Sequence, residues 1–130
     1  MSETPEKEGS RWAAGQAIHR DMFGEARARH RLEGDAPEDA RLTDLLFEHA
    51  YGAVWSNDTL SRRERSLITV ALLAGLGRTD ELDSHIGAAL ANGCTMAELH
   101  EAVVHAGLYC GFPATISGHK ALKAHGQTRD

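Results

Sequence analysis

Ser61-Arg62-Arg63-Glu64-Arg65-Ser66-Leu67-Ile68-Thr69-Val70-Ala71-Leu72-Leu73-Ala74 joins a helix start signal to an apolar run. Ser followed three residues later by Glu is a capping box, in which each side chain satisfies a backbone N–H that the first helical turn leaves open. From Leu67 to Ala74 the run is apolar on every side. Such a helix belongs at the centre of a bundle or in an interface between subunits. Gly75 and Gly77 end it.

Working outward, the pattern stays helical. Towards the C-terminus, a helix begins near Thr79-Asp80-Glu81, where acids suit the helix dipole, and stops at Asn92-Gly93. Thr95-Met96-Ala97-Glu98 is a second capping box and starts a helix that runs to Gly111. Pro113 then suits the first turn of a last helix that reaches about Lys123. Towards the N-terminus, Leu42, Leu45, Leu46, His49, Ala50, Ala53 and Val54 fall at helical spacings in a helix that ends near Trp55. Before it, Arg31 to Arg41 reads as a loop, Arg11 to about His30 as a polar amphipathic helix, and residues 1 to about 9 as a frayed tail. The expectation is one all-α domain of six helices over residues 10–130, with no repeat.

Composition narrows the function. At 130 residues the chain has the length of one soluble domain. Its 14 Lys and Arg against 19 Asp and Glu give a net charge of −5, which disfavours a nucleic-acid partner held through phosphates. The longest apolar stretch is too short to span a bilayer and the N-terminus lacks a signal pattern, so a cytoplasmic location is expected and no membrane partner. Cys94 and Cys110 show no C-x-x-C spacing and read as buried, reduced thiols.

Glu64 is the first residue to weigh for chemistry. The third position of a capping box is commonly Glu for structural reasons alone. Yet Leu67, Ile68 and Ala71 share its helix face, which would turn the carboxylate towards the core, where partial burial would raise its proton affinity and Arg63, Arg65 or a nearby His would oppose the rise. His85 falls in the apolar stripe of the next helix, between Leu82 and Ala89. There a His is either a satisfied core residue or, if a carboxylate such as Glu64 reaches it, an acid–base group, since its unperturbed pKa is about 6.5.

Glu101, His105 and Tyr109 follow at steps of four and make one polar ridge, which either lines a cavity, bonds within itself or faces another subunit. Arg62, Arg63, Arg65 and Arg78 stand at the starts of two helices, as a solvated charge set or, with helix N-terminal amides, as a site for a small organic acid. Trp55 would supply an apolar wall.

His100 and His105 bracket a sequence reminiscent of a zinc-protease helix, but five residues separate them and their side chains diverge by roughly 140° on a regular helix. The other histidines lack ligand spacing along the chain, so no metal is expected. Phosphate-binding, dinucleotide-binding and serine-elbow motifs are absent from the sequence.

Four separated motifs, Tyr51-Gly52-Ala53-Val54-Trp55, Leu60-Ser61-Arg62-Arg63-Glu64-Arg65-Ser66-Leu67, Asp80-Glu81-Leu82-Asp83-Ser84-His85 and Tyr109-Cys110-Gly111-Phe112-Pro113-Ala114, occur in order. Together they resemble the carboxymuconolactone decarboxylase family, from about Ala17 to Lys123. The resemblance implies an all-helical fold of the alkylhydroperoxidase D-like kind, assembled as a homo-oligomer, a trimer or hexamer, with sites near subunit contacts. In the peroxidase branch a C-x-x-C pair precedes the His by seven and four residues. Here those positions hold Arg78 and Glu81. Without thiolates the peroxidase reaction lacks its nucleophile, which directs the reading to the decarboxylase branch.

That branch is implied to convert 4-carboxymuconolactone to 3-oxoadipate enol-lactone and carbon dioxide, without a cofactor, in protocatechuate catabolism. Carried over to this chain, the resemblance implies His85 as proton donor, Glu64 as its partner, Arg63, Arg65 or Arg78 as carboxylate anchors, and Trp55 and Tyr109 as pocket walls. The partner would be a small anionic lactone. Alternatives are a related lactone or keto-acid enzyme, a redox-accessory module in which Cys94 or Cys110 answers oxidants, and a scaffold that binds its ligand unchanged.

Overall fold

The structure is a computed structural model that describes residues 10–128, so the expected tail lies outside the described residues. The chain is all-α, as the sequence predicts, and forms two compact units that meet in sequence at Leu60 and Ser61.

In the first unit, α1 (Arg11–Phe23) starts at Ser10, whose hydroxyl accepts the Ala13 N–H at 3.4 Å. It stops at Gly24, where φ is 97° and ψ 162°, a conformation that essentially only Gly adopts. The single helix expected up to His30 is therefore two, the second being α2 (Glu25–Leu32). α3 (Pro37–Leu45) begins on a proline, whose fixed φ and missing N–H suit a first helical turn, with Glu38 and Asp39 beside it. The expected loop from Arg31 to Arg41 shrinks to residues 33–36, because Pro37 opens a helix instead of closing one.

α3 runs directly into a π-helical segment (Leu46–Trp55). α1 packs on this segment through two glycines: a Cβ on Gly15 would overlap the Phe47 carbonyl, and one on Gly52 the Arg11 carbonyl. Fully buried Phe47 anchors the aromatic core, with Trp12 at 5.3 Å and buried His19 at 5.3 Å between ring centroids. Trp12 Nε1 also donates to Asp44 at 2.9 Å, so its polar edge is satisfied.

The second unit holds α4 (Arg62–Leu76), α5 (Thr79–Ala91), α6 (Met96–Cys110) and α7 (Phe112–Thr128). Six expected helices thus become seven α-helices and one π segment among the described residues, and the last helix outruns its expected end at Lys123. Both capping boxes form: Ser61 with Glu64, and Thr95 with Glu98. The core joins Val70 and Ala74 of α4, Leu82, Ile86 and Ala89 of α5, Cys94, Leu99 and Val103 around α6, and Leu122 of α7.

α4 is apolar all round for two different reasons. Ser66, Val70 and Ala74, at steps of four, face this core. Ile68, Leu72 and Leu76, also at steps of four, are exposed by 47%, 58% and 70% in the single chain. Val104 and Leu108 on α6 and Phe112 and Ile116 on α7 are exposed too, so this unit carries more uncovered apolar side chain than a free-standing fold requires.

Candidate active site

The geometry starts from the α4–α5 hairpin. Gly77 takes a left-handed φ of 73° and the Arg78 N–H reaches back to the Leu73 carbonyl at 2.9 Å, which turns the chain. At the other end Asn92 Nδ2 donates to the Ser66 hydroxyl at 3.0 Å, and the Cys94 thiol points to the Arg63 carbonyl at 3.5 Å. The start of α4 is therefore level with the end of α5, and the two helices run antiparallel.

His85 lies mid-way along α5, half-buried, between the buried side chains Leu82, Ile86 and Ala89. It sits in the apolar stripe where its spacing predicts it. Arg78 caps the start of α5, exposed, two turns before His85. A cation and free helical N–H groups at this end favour an anion, although Asp80 and Glu81 in the first turn already answer the dipole.

Glu64 differs from expectation. Its carboxylate is exposed and curls back to accept the Ser61 N–H at 2.8 Å, while its own N–H donates to the Ser61 hydroxyl at 3.0 Å. Hydrogen bonds to the carboxylate, from the Ser61 N–H first and the Ser61 side chain second, hold the carboxyl below its usual pKa, so the rise that burial alone would bring does not prevail. A carboxylate that closes a capping box must stay at the helix end, which outweighs the pull of the apolar face further along.

Within one chain Glu64 and His85 also stand at different heights. Taking Ser66 and Asn92 as one level, Glu64 lies two residues beyond it and His85 seven residues behind, about 13 Å along the common axis at 1.5 Å per residue. The arginines divide likewise. Arg63 and Arg65 are half-buried in the first turn of α4, whereas Arg78 is at the opposite end, roughly 20 Å away by the same rise. The cluster read from sequence is thus two separate charge sets, because consecutive antiparallel helices put their starts at opposite ends.

Arg63 is moreover engaged: its guanidinium pairs with Glu98 in the first turn of α6. Tyr109 is 82% exposed at the end of α6, with its ring 5.6 Å from that of His105, and Glu101 is exposed on the same helix. The ridge faces outward in the single chain. Trp55, in the first unit, is half-buried at the end of the π segment, 6.2 Å from the Tyr51 ring.

Cys94 is buried, and burial pushes its thiol pKa up; Cys110 is exposed, contrary to the buried thiol expected there. Both are free. Among the described residues no group of three or more His, Cys, Asp or Glu is placed to hold a metal ion, and no helix is long and apolar enough to cross a membrane.

Two arrangements escape the sequence reading. His19 is buried among Phe23, Phe47 and Tyr51, and burial raises the Tyr51 pKa against the opposing charges of Arg31 and Arg27. His100 and His119, on α6 and α7, bring their Nδ1 atoms to 3.2 Å. Neither has a signal along the chain, since each depends on helices that meet only after folding.

An all-helical protein with a half-buried imidazole, and with no thiol at the two positions preceding it, is the class that the geometry defines. The chain belongs to the carboxymuconolactone decarboxylase family, which matches residues 40–124. It is 37% identical over 105 residues to 4-carboxymuconolactone decarboxylase of Acinetobacter baylyi, covering 81% of this chain and 78% of that one. It is 36% identical over 102 residues to nitrosuccinic acid decarboxylase npaB of Metarhizium robertsii, covering 78% of this chain and 71% of that one.

Proposed function

We propose that this carboxy-lyase releases carbon dioxide from a small dianionic acid that carries its own electron sink, with 4-carboxymuconolactone as substrate and 3-oxoadipate enol-lactone as product. The observation that supports it most is the 37% identity, over most of both chains, to a protein of that name. Loss of the carboxylate at the γ-carbon sends its electron pair through the ring alkene to the lactone carbonyl. Protonation at the α-carbon then leaves the shifted double bond, so the substrate needs no cofactor.

His85 donates that proton from a half-buried position where water competes poorly. Arg78, two turns before His85 on the same helix, reaches along α5 with its long side chain to hold a carboxylate of the substrate. Glu64, with its lowered proton affinity, acts as a standing anion that orients an imidazolium, and solvent returns the proton. Because Glu64 and Arg65 stand about 12–13 Å from His85 along the helix axis in one chain, they meet the His85 of a neighbouring protomer, where Tyr109 closes the pocket. The exposed stripe Ile68, Leu72 and Leu76 gives such a homo-oligomer its contact.

The second relative supports a wider substrate class. Nitrosuccinic acid is also a dicarboxylate, and loss of the carboxylate beside its nitro group leaves a nitronate, a sink equivalent to the lactone dienolate. Incubation with each acid, following carbon dioxide and ultraviolet absorbance, decides between them. Turnover of the lactone supports the reading; turnover of nitrosuccinate alone moves it to nitro acids; turnover of neither ends it.

A further inference from the structure

His100 on α6 and His119 on α7 are not among the residues assigned to decarboxylation. Their Nδ1 atoms are 3.2 Å apart, with ring centroids at 4.9 Å and planes inclined by 59°. Zn–imidazole bonds are about 2.0–2.1 Å, so two nitrogens on one ion lie about 2.9 Å apart at a right angle and about 3.4 Å apart at a tetrahedral angle. The observed spacing falls inside that range.

The two helices hold this spacing through close packing. Thr115 Oγ1 donates to the Val103 carbonyl at 3.0 Å, and a Cβ on Gly118 would come within 2.6 Å of Val103 Cγ1. Leu99, Val103 and Leu122 are buried around the pair. His119 is exposed and His100 half-buried, so an ion and its waters have access.

We propose that His100 and His119 form a bidentate site for one borderline divalent transition-metal ion (Ni2+, Cu2+ or Zn2+), the remaining positions being filled by water. Imidazole suits these ions, whereas Mg2+ and Ca2+ need oxygen donors and would not bind. Sequence spacing conceals the site because its two ligands lie 19 residues apart on different helices.

The test is calorimetric titration of the untagged, metal-stripped full chain with Ni2+, read separately from any decarboxylase activity. One ion per chain is expected, retained in His105→Gln and weakened at least tenfold in both His100→Gln and His119→Gln. Circular dichroism checks that each variant stays folded. Electron paramagnetic resonance of the wild-type Cu2+ complex, which needs no variant, should show two coordinated imidazole nitrogens. Absence of saturable Ni2+ binding, binding that survives either substitution, or a Cu2+ spectrum with fewer than two imidazoles overturns the proposal.

Discussion

The Asn92 side-chain amide donates to the Ser66 hydroxyl at 3.0 Å, and this contact sets the register of the α4–α5 hairpin. From it follow the heights of Glu64, Arg63 and Arg65 at one end and of Arg78 at the other, with His85 between them. Replacing Asn92 with Ala should cost about 1 kcal/mol, the worth of one hydrogen bond, seen as a lower denaturation midpoint in urea with an unchanged slope.

His85→Gln should abolish carbon dioxide release while leaving the melting temperature and the assembly as in the wild type. Wild-type turnover in this variant would remove the proton donor. Arg78→Ala should act on KM more than kcat if it holds the substrate. Arg63→Ala should instead lower stability, because it breaks the pair with Glu98.

A site shared between protomers predicts complementation. Glu64→Gln and His85→Gln, each inactive alone, should regain part of the activity when co-refolded, since a mixed oligomer contains some sites with both native groups. Leu72→Asp, in the exposed stripe of α4, should reduce the mass measured by light scattering and the activity together. No recovery in the mixture would confine each site to one chain.

Glu64 also makes stability depend on pH with a defined sign. Its folded pKa lies below the unfolded value, so its contribution is complete above the ordinary carboxylate range and fades as pH falls through the folded value. Glu64→Gln should therefore destabilise at pH 7 and make little difference at the acid end of the range, as thermal melts at both values would show.

Gly24→Ala forces a side chain into a backbone conformation reserved for Gly, with open space around it, so the cost is strain and not a clash. About 1–3 kcal/mol is expected. Leu99→Ala, in the fully buried core of the second unit, should cost about 2–5 kcal/mol through lost transfer energy and the cavity left behind.

Local signals in the sequence were reliable where the chemistry is local. The capping boxes at Ser61 and Thr95, the stop at Gly77 and the place of His85 in an apolar stripe follow from spacing alone. The break at Gly24 and the start at Pro37 are not legible along the chain because both residues act in two ways, and only the neighbouring turns decide which. The π segment leaves no mark in apolar spacing. Glu64 was misplaced for a related reason: a helix face predicts where a side chain points only if its own end has no stronger partner. The supposed cluster of Arg63, Arg65 and Arg78 and the unnoticed pair His100–His119 are tertiary facts, fixed by helix direction and packing.

The two thiols give the chain a built-in gauge of its own opening. Cys110 meets reagent at once, while Cys94 must wait until the junction between Arg63 and α6 loosens. The ratio of their alkylation rates, taken in one sample, reports how often that corner breathes, with no dye or label added.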